Sequence, residues 1–139
     1  MRPLYETEED LDRERGAILT LCGRTDAHPF KLPISAHADY IMMRDGEAKA
    51  VVEVKCRKNK RLAYDTYMLS QHKYEGLLSW AEYGLTPILL VSWQDAIGYV
   101  RLPCPHDIAV GGRKDRGDAL DIEPVVHIKT SDFKVILDL

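Results

Sequence analysis

Asp39–Lys55 reads DYIMMRDGEAKAVVEVK. Asp45-Gly46 near its centre is the two-residue signal of a tight hairpin turn, and the apolar runs on either side suit strands. Pairing across that turn predicts strands over Ala38–Arg44 and Ala48–Arg57. In the second strand, alternation sends Val52 and Val54 to one face and Glu53 and Lys55 to the other. A carboxylate inside so apolar a strand is costly unless it is paired or bound to a cation. Lys55 is one such partner, and a same-face ion pair on an edge strand is one complete reading. The other reading starts from Asp39. Antiparallel pairing centred on the turn brings it near residues 52 and 53, so Asp39 and Glu53 converge at one end of the sheet. Two carboxylates so placed repel, and a divalent cation between them removes the repulsion. Hard oxygen donors select Mg²⁺ or Mn²⁺ over zinc.

Upstream, Thr7 is an N-cap candidate, Glu8, Glu9 and Asp10 suit the positive end of a helix dipole, and Gly23 is a stop signal. These predict a helix over Glu8–Cys22 with an apolar face of Leu11, Ile18, Leu21 and Cys22. Glu14 falls within that stripe, so a third carboxylate faces inward. A loop with His28 and Pro29 leads to a short extended piece, Phe30–Ile34. Downstream, the spacing of Tyr67, Tyr74, Leu77, Leu78 and Ala81 predicts a second helix over Thr66–Tyr83, closed by Gly84. TPILLVSW (86–93) is a continuous apolar run that suits a strand covered on both faces, and AIGYVRL (96–102) is its hairpin partner. GGRKDRGD (111–118) reads as a loop, and PVVHIK (124–129) with FKVIL (133–137) as a last hairpin. With no internal repeat and no linker, the chain reads as one domain over 1–139, with a core over about 8–102 and an extension over 103–139.

The composition of the 139 residues, 45% apolar and 29% charged, is that of an ordinary globular domain. Cys22, Cys56 and Cys104 form no C-x-x-C pair, which argues against a disulfide framework or a thiolate zinc site and for a reducing, cytoplasmic setting. The acidic N-terminus has no apolar leader, and no run approaches the length of a membrane span. A net charge of −3 predicts no nucleic-acid partner by itself. The distribution is more informative. Residues 6–14 hold six acids, whereas Lys55–Arg61, KCRKNKR, holds five bases. This run is either a solvated loop or a surface for phosphates.

The order of these features resembles the PD-(D/E)XK nuclease superfamily: a helix bearing Glu14, Asp39 on a first hairpin strand, Glu53-Val54-Lys55 on the second, then a helix and a strand. The resemblance covers residues 8 to about 93. The tripeptide alone carries little specificity, which comes from the order, the alternation and the Asp39–Glu53 distance. One departure is Ala38, which stands where the family has a proline. The resemblance implies an α/β fold with an αβββαβ restriction-endonuclease-like core, a central mixed sheet flanked by helices, extended here by a C-terminal hairpin. It also implies that Asp39, Glu53 and Glu14 are metal ligands, with the Val54 carbonyl completing the set. Lys55 acts on the attacking water, and Gln71 and Lys73 are accessory residues of the second helix. Phosphodiester hydrolysis has matching needs. A cation screens the phosphate and activates water, and an ammonium group stabilises charge at phosphorus. The charge of two nearby carboxylates favours that electrostatic role for Lys55 over the role of general base.

Arg57, Lys58, Lys60 and Arg61, with Arg113, Lys114 and Arg116, are candidates for holding DNA phosphates, and His37 for touching one. Tyr64, Tyr67 and Tyr74 read as core and boundary residues, although Tyr64, beside the basic run, is able to stack an unpaired base. His72 and His106 have no zinc-site spacing. The reading is therefore a Mg²⁺- or Mn²⁺-dependent deoxyribonuclease, a small structure-selective, Holliday-junction-resolvase-like or phage-type endonuclease acting in DNA repair or recombination as a homodimer. The alternative is a non-catalytic DNA-binding or assembly protein on the same scaffold, with Glu53 and Lys55 as a structural ion pair. A glycosidase is excluded by the closeness of Asp39 and Glu53 and the lack of aromatic residues around them.

Overall fold

The computed structural model describes residues 8–33, 36–112 and 122–139. Helix α1 (Glu8–Gly23) opens with Glu8, Glu9 and Asp10 in its first turn, where the dipole favours acids. Its inner stripe is Glu14, Ala17, Ile18, Leu21 and Cys22. Leu11, expected in that stripe, is 38% exposed at its edge. The cap expected from Thr7 lies outside the described residues.

Three antiparallel strands follow as a meander: β1 (His28–Lys31), β2 (Tyr40–Arg44) and β3 (Glu47–Cys56). The turn between β2 and β3 has Asp45 at φ 54° and Gly46 at φ 76°. Two successive left-handed residues match the right-handed twist of a hairpin, and Asp-Gly adopts them readily. Tyr40 pairs with Val52, and a register shift between Met42 and Met43 is absorbed before the turn.

β4 (Thr66–Ser70), helix α2 (Gln71–Ser79) and the 3₁₀ turn Trp80–Tyr83 then carry the chain over the sheet. It returns as β5 (Thr86–Ser92), parallel to β3, with Glu53 opposite Leu89. Every β5 residue after Thr86 is buried, as a strand covered on both faces requires. β6 (Ala96–Arg101) is its antiparallel neighbour as expected, and β9 (Lys134–Asp138) adds to β6. The large mixed sheet runs β1-β2-β3-β5-β6-β9, and a second sheet runs β4-β8-β7, with β7 at Asp107–Gly112 and β8 at Ile122–Lys129. Among the described residues no helix is long and apolar enough to cross a membrane.

Two expected elements change. Thr66–Ser70, predicted as the first turns of the second helix, is a strand. Tyr67 and Leu69 face the core while Met68 is exposed, and the Ser70 hydroxyl accepts from the Lys73 N–H as the true N-cap of α2. The helix end at Gly84 stands, with φ 78°. PVVHIK lies in β8 as expected, but it pairs with β7, while FKVIL contributes β9 to the large sheet beside β6. Phe133 explains the change. Its buried ring packs edge-on against Tyr67 and Trp93, at 5.9 and 5.2 Å, so the chain crosses from one sheet to the other between β8 and β9.

The apolar residues form two layers. Ala17, Ile18 and Leu21 of α1 cover the face of the large sheet that bears Val52, Val54 and Leu90. Tyr74 and Leu77 of α2, with Val126 and Ile128 of β8, cover the opposite face, which bears Val51, Leu89 and Val91. Glu53 and Lys55 share the second face with Val51 by strand alternation, so they emerge beside α2. Leu77 is 0% exposed at the centre of this layer. Leu77→Ala is expected to cost about 2–5 kcal/mol, read from the denaturant midpoint.

Candidate active site

Asp39 ends the pairing of β2 with β3 in an informative way. Its own N–H donates to the Val52 carbonyl at 3.0 Å, and its Oδ2 accepts the Val54 N–H at 2.7 Å. The carboxylate thus takes the place of the next ladder acceptor. A residue's N–H and carbonyl point to the same side of a strand, so the Val54 carbonyl also opens toward Asp39 and away from β5.

One residue along β3, the Glu53 side chain is only 3% exposed. Its Oε1 forms ion pairs with two ammonium groups, Lys55 Nζ at 3.3 Å and Lys73 Nζ at 3.2 Å. Lys73 reaches it because the Ser70 cap starts α2 immediately beside the sheet. Glu53 Oε2 has no hydrogen bond among the described residues. Burial first, and then the charge of Asp39, raise the Glu53 carboxyl above its ordinary range, while Lys55 and Lys73 pull it down. This is a buried, partly unsatisfied carboxylate beside a second one, flanked by cations.

Residues 1–136 match the family described as "Phage putative PDDEXK endonuclease". The chain belongs to this family. It is a nuclease of the PD-(D/E)XK type. Its fold is similar to that of Hjc, a Holliday junction resolvase from the archaeal hyperthermophile Archaeoglobus fulgidus. That similarity has a TM-score of 0.58 at 15% identity, covering 92% of this chain and 88% of that one. No curated protein matches the chain.

In this PD-(D/E)XK nuclease, Glu14 is buried as expected and pairs with Lys31. Lys31 Nζ lies 2.5 Å from Glu14 Oε1 and 3.9 Å from Asp39 Oδ1, and 4.9 Å from the centre of the Tyr40 ring. Arg13 donates to the carbonyls of Arg57 and Ser92, at 3.2 and 3.3 Å. Burial, then the charge and hydrogen bond of Glu14, push the Tyr40 phenol well above its ordinary range. Lys31 is the site residue that the sequence did not reveal. It sits on a four-residue edge strand, and only its pairing opposite Tyr40 brings it beside Asp39. Three carboxylates therefore gather with three ammonium groups, Lys31 on Glu14 and Asp39, and Lys55 and Lys73 on Glu53.

Among the described residues no group of three acids, histidines or cysteines forms a ready-made metal cage. The donor chemistry nevertheless fits a hard cation. Among the described residues Glu53 Oε2 is buried without a hydrogen bond and Asp39 Oδ1 meets only the more distant Lys31, and the Val54 carbonyl opens to the same edge.

The remaining candidates divide. Gln71 donates along α2 to Glu75 Oε1 at 3.3 Å. Arg57, expected at phosphates, is committed inward. It donates to the Tyr67 hydroxyl at 2.6 Å and stacks 5.0 Å from that ring's centre. Burial pushes the Tyr67 phenol up to about 12. Lys58 and Lys60 are exposed, and Arg61 is half-buried with its N–H on Asp95 Oδ1 at 2.8 Å. His37 is exposed, its ring edge-on to His72 at 6.4 Å. Arg113, Lys114 and Arg116 lie outside the described residues.

Proposed function

We propose that this nuclease is a divalent-cation-dependent DNA endonuclease selective for branched or partly unpaired DNA. The observation that carries the reading is Glu53, a carboxylate 3% exposed, beside Asp39 and between two lysines, with one oxygen unpartnered among the described residues. Asp39, Glu53 and the Val54 carbonyl would hold Mg²⁺ or Mn²⁺, with Glu14 able to join them once released from Lys31. Such a cation, when bound, screens the scissile phosphate and lowers the pKa of a coordinated water. The chain's own residues do the rest. Lys55 donates hydrogen bonds that orient the attacking water and stabilise the negative charge that builds on the phosphoryl oxygens. Lys73, on the same carboxylate, adds a second positive charge at that place. Lys58, Lys60 and Arg61 grip flanking phosphates, giving affinity that falls steeply with salt and carries no base preference.

Lys73→Met is expected to lower the single-turnover cleavage rate by about 10²-fold, measured with excess enzyme on labelled DNA. Selectivity for branched DNA is supported by a fold similar to that of a Holliday junction resolvase. A homodimer would supply two such sites for paired cuts. The test is incubation with a four-way junction, a linear duplex and single-stranded DNA in Mg²⁺, Mn²⁺ and EDTA. Cation-dependent cutting of the junction above the duplex is expected. Equal cutting of all three removes the selectivity. Cutting of none, in either cation, favours a non-catalytic assembly protein in which Glu53 and Lys55 are a structural pair.

A further inference from the structure

Beyond Glu53 and Lys55 on the same face of β3 lies Arg57, which borders a cavity of about 230 Å³. The hydrolytic chemistry makes no use of it. Its outer walls are Tyr64, 66% exposed, and Met68, 61% exposed, with the buried Trp93 and Tyr67 behind them. Exposed rings are commonly loosely held, but the backbone of this one is pinned. Thr130 Oγ1 donates to the carbonyls of Tyr64 and Asp65 at 3.2 and 3.1 Å, and the Thr130 N–H donates to Asp65 at 2.9 Å. Asn59 and Arg61 supply polar groups at the rim, and the exposed Lys58 and Lys60 belong to the same loop.

We propose that this cavity receives one unpaired nucleobase of the strand being cut, stacked on Tyr64 against Met68, with its flanking phosphates on Lys58 and Lys60. The inference rests on the nuclease reading and deepens it. Three properties point to this occupant. The wall is an aromatic face on a pinned backbone with a polarizable thioether beside it, which suits any base because every base has a flat π surface. The rim is cationic on the side of the loop, which complements a nucleic-acid backbone and not an apolar peptide. The distance is also suitable. Arg57 is four residue steps beyond Glu53, about 13 Å at the rise of a strand, so the pocket lies within a few nucleotides of the scissile phosphate. A base inside an intact duplex cannot enter without leaving its stack, whereas a base at a junction or gap is already free to do so. The pocket thereby supplies a physical cause for selectivity that the carboxylate site lacks.

The experiment is fluorescence anisotropy of the full chain, in EDTA, on a labelled duplex and on the same duplex carrying a three-nucleotide gap. The wild type is expected to favour the gapped DNA by about tenfold. Tyr64→Ala is expected to bring the two affinities near parity, and Tyr64→Phe to restore the difference. Preference retained by Tyr64→Ala, or absent from the wild type, overturns the pocket. So does a Tyr64→Phe variant as poor as alanine, since the ring is then not what binds. Independently of any variant, 2-aminopurine in the gap is expected to change its emission when the wild type binds, and unchanged emission overturns the proposal. A wild type that binds neither DNA and cuts none overturns the nuclease reading as well. One that binds and cuts while Tyr64→Ala keeps its preference overturns the pocket alone.

Discussion

Glu53→Gln is expected to reduce single-turnover DNA cleavage by about 10³-fold or more while making the protein more stable at neutral pH. The two effects have one origin. A glutamine keeps the size and the hydrogen-bonding oxygen but removes the charge that a cation requires. It also removes the unfavourable burial of that charge. The ammonium groups left behind do not reverse the sign, because the Lys55 and Lys73 side chains are 20% and 23% exposed and reach water. A gain of about 1 kcal/mol is the expected scale. Its pH dependence is specific. Burial, and secondarily Asp39, hold the folded-state Glu53 carboxyl above its ordinary range. The unfolded chain therefore loses this proton first as pH rises. Stability from the protonated form is complete below the ordinary glutamate range and is lost as pH climbs through the raised value. Glutamine has no proton to lose, so urea denaturation should show the variant's advantage growing as pH rises above the ordinary glutamate range. A variant less stable than the wild type at every pH would mean that the ion pairs outweigh the burial.

Lys55→Met separates chemistry from binding. The ammonium lies 3.3 Å from Glu53 and is proposed to act on the attacking water and the phosphoryl oxygens, with no contact to flanking phosphates. Its loss should lower the cleavage rate by about 10³-fold, leave DNA affinity within about twofold, and tighten cation binding by removing a competing charge. Anisotropy on uncut DNA and single-turnover kinetics read these separately. An equal loss in both would instead make Lys55 a phosphate-binding residue.

How much of this was legible in the sequence depended on how local the signal was. Asp39, Glu53 and Lys55 could be placed because Asp45-Gly46 fixed the register and strand alternation fixed the face. β5 and β6 could be read because an unbroken apolar run has few other places to go. Thr66–Ser70 was misread because Tyr67 and Tyr74, one heptad apart, also fit a helical stripe. The alternation of Tyr67, Met68 and Leu69 before a capping serine was the better signal. Lys31 had no local signature, since its partner Glu14 is 17 residues away. The separation of β8 from β9 rests on Phe133 docking between two sheets, a tertiary contact that the propensity of either strand does not encode. Arg57 looked like the other bases of its run, and only burial against Tyr67 distinguishes it.

The most direct test of the central claim is a calorimetric titration of Mn²⁺ into the wild type and Glu53→Gln without DNA. Saturable binding to the wild type is expected, weakened by at least about tenfold in Glu53→Gln. Binding of equal strength in both proteins, or none in the wild type, would contradict that claim.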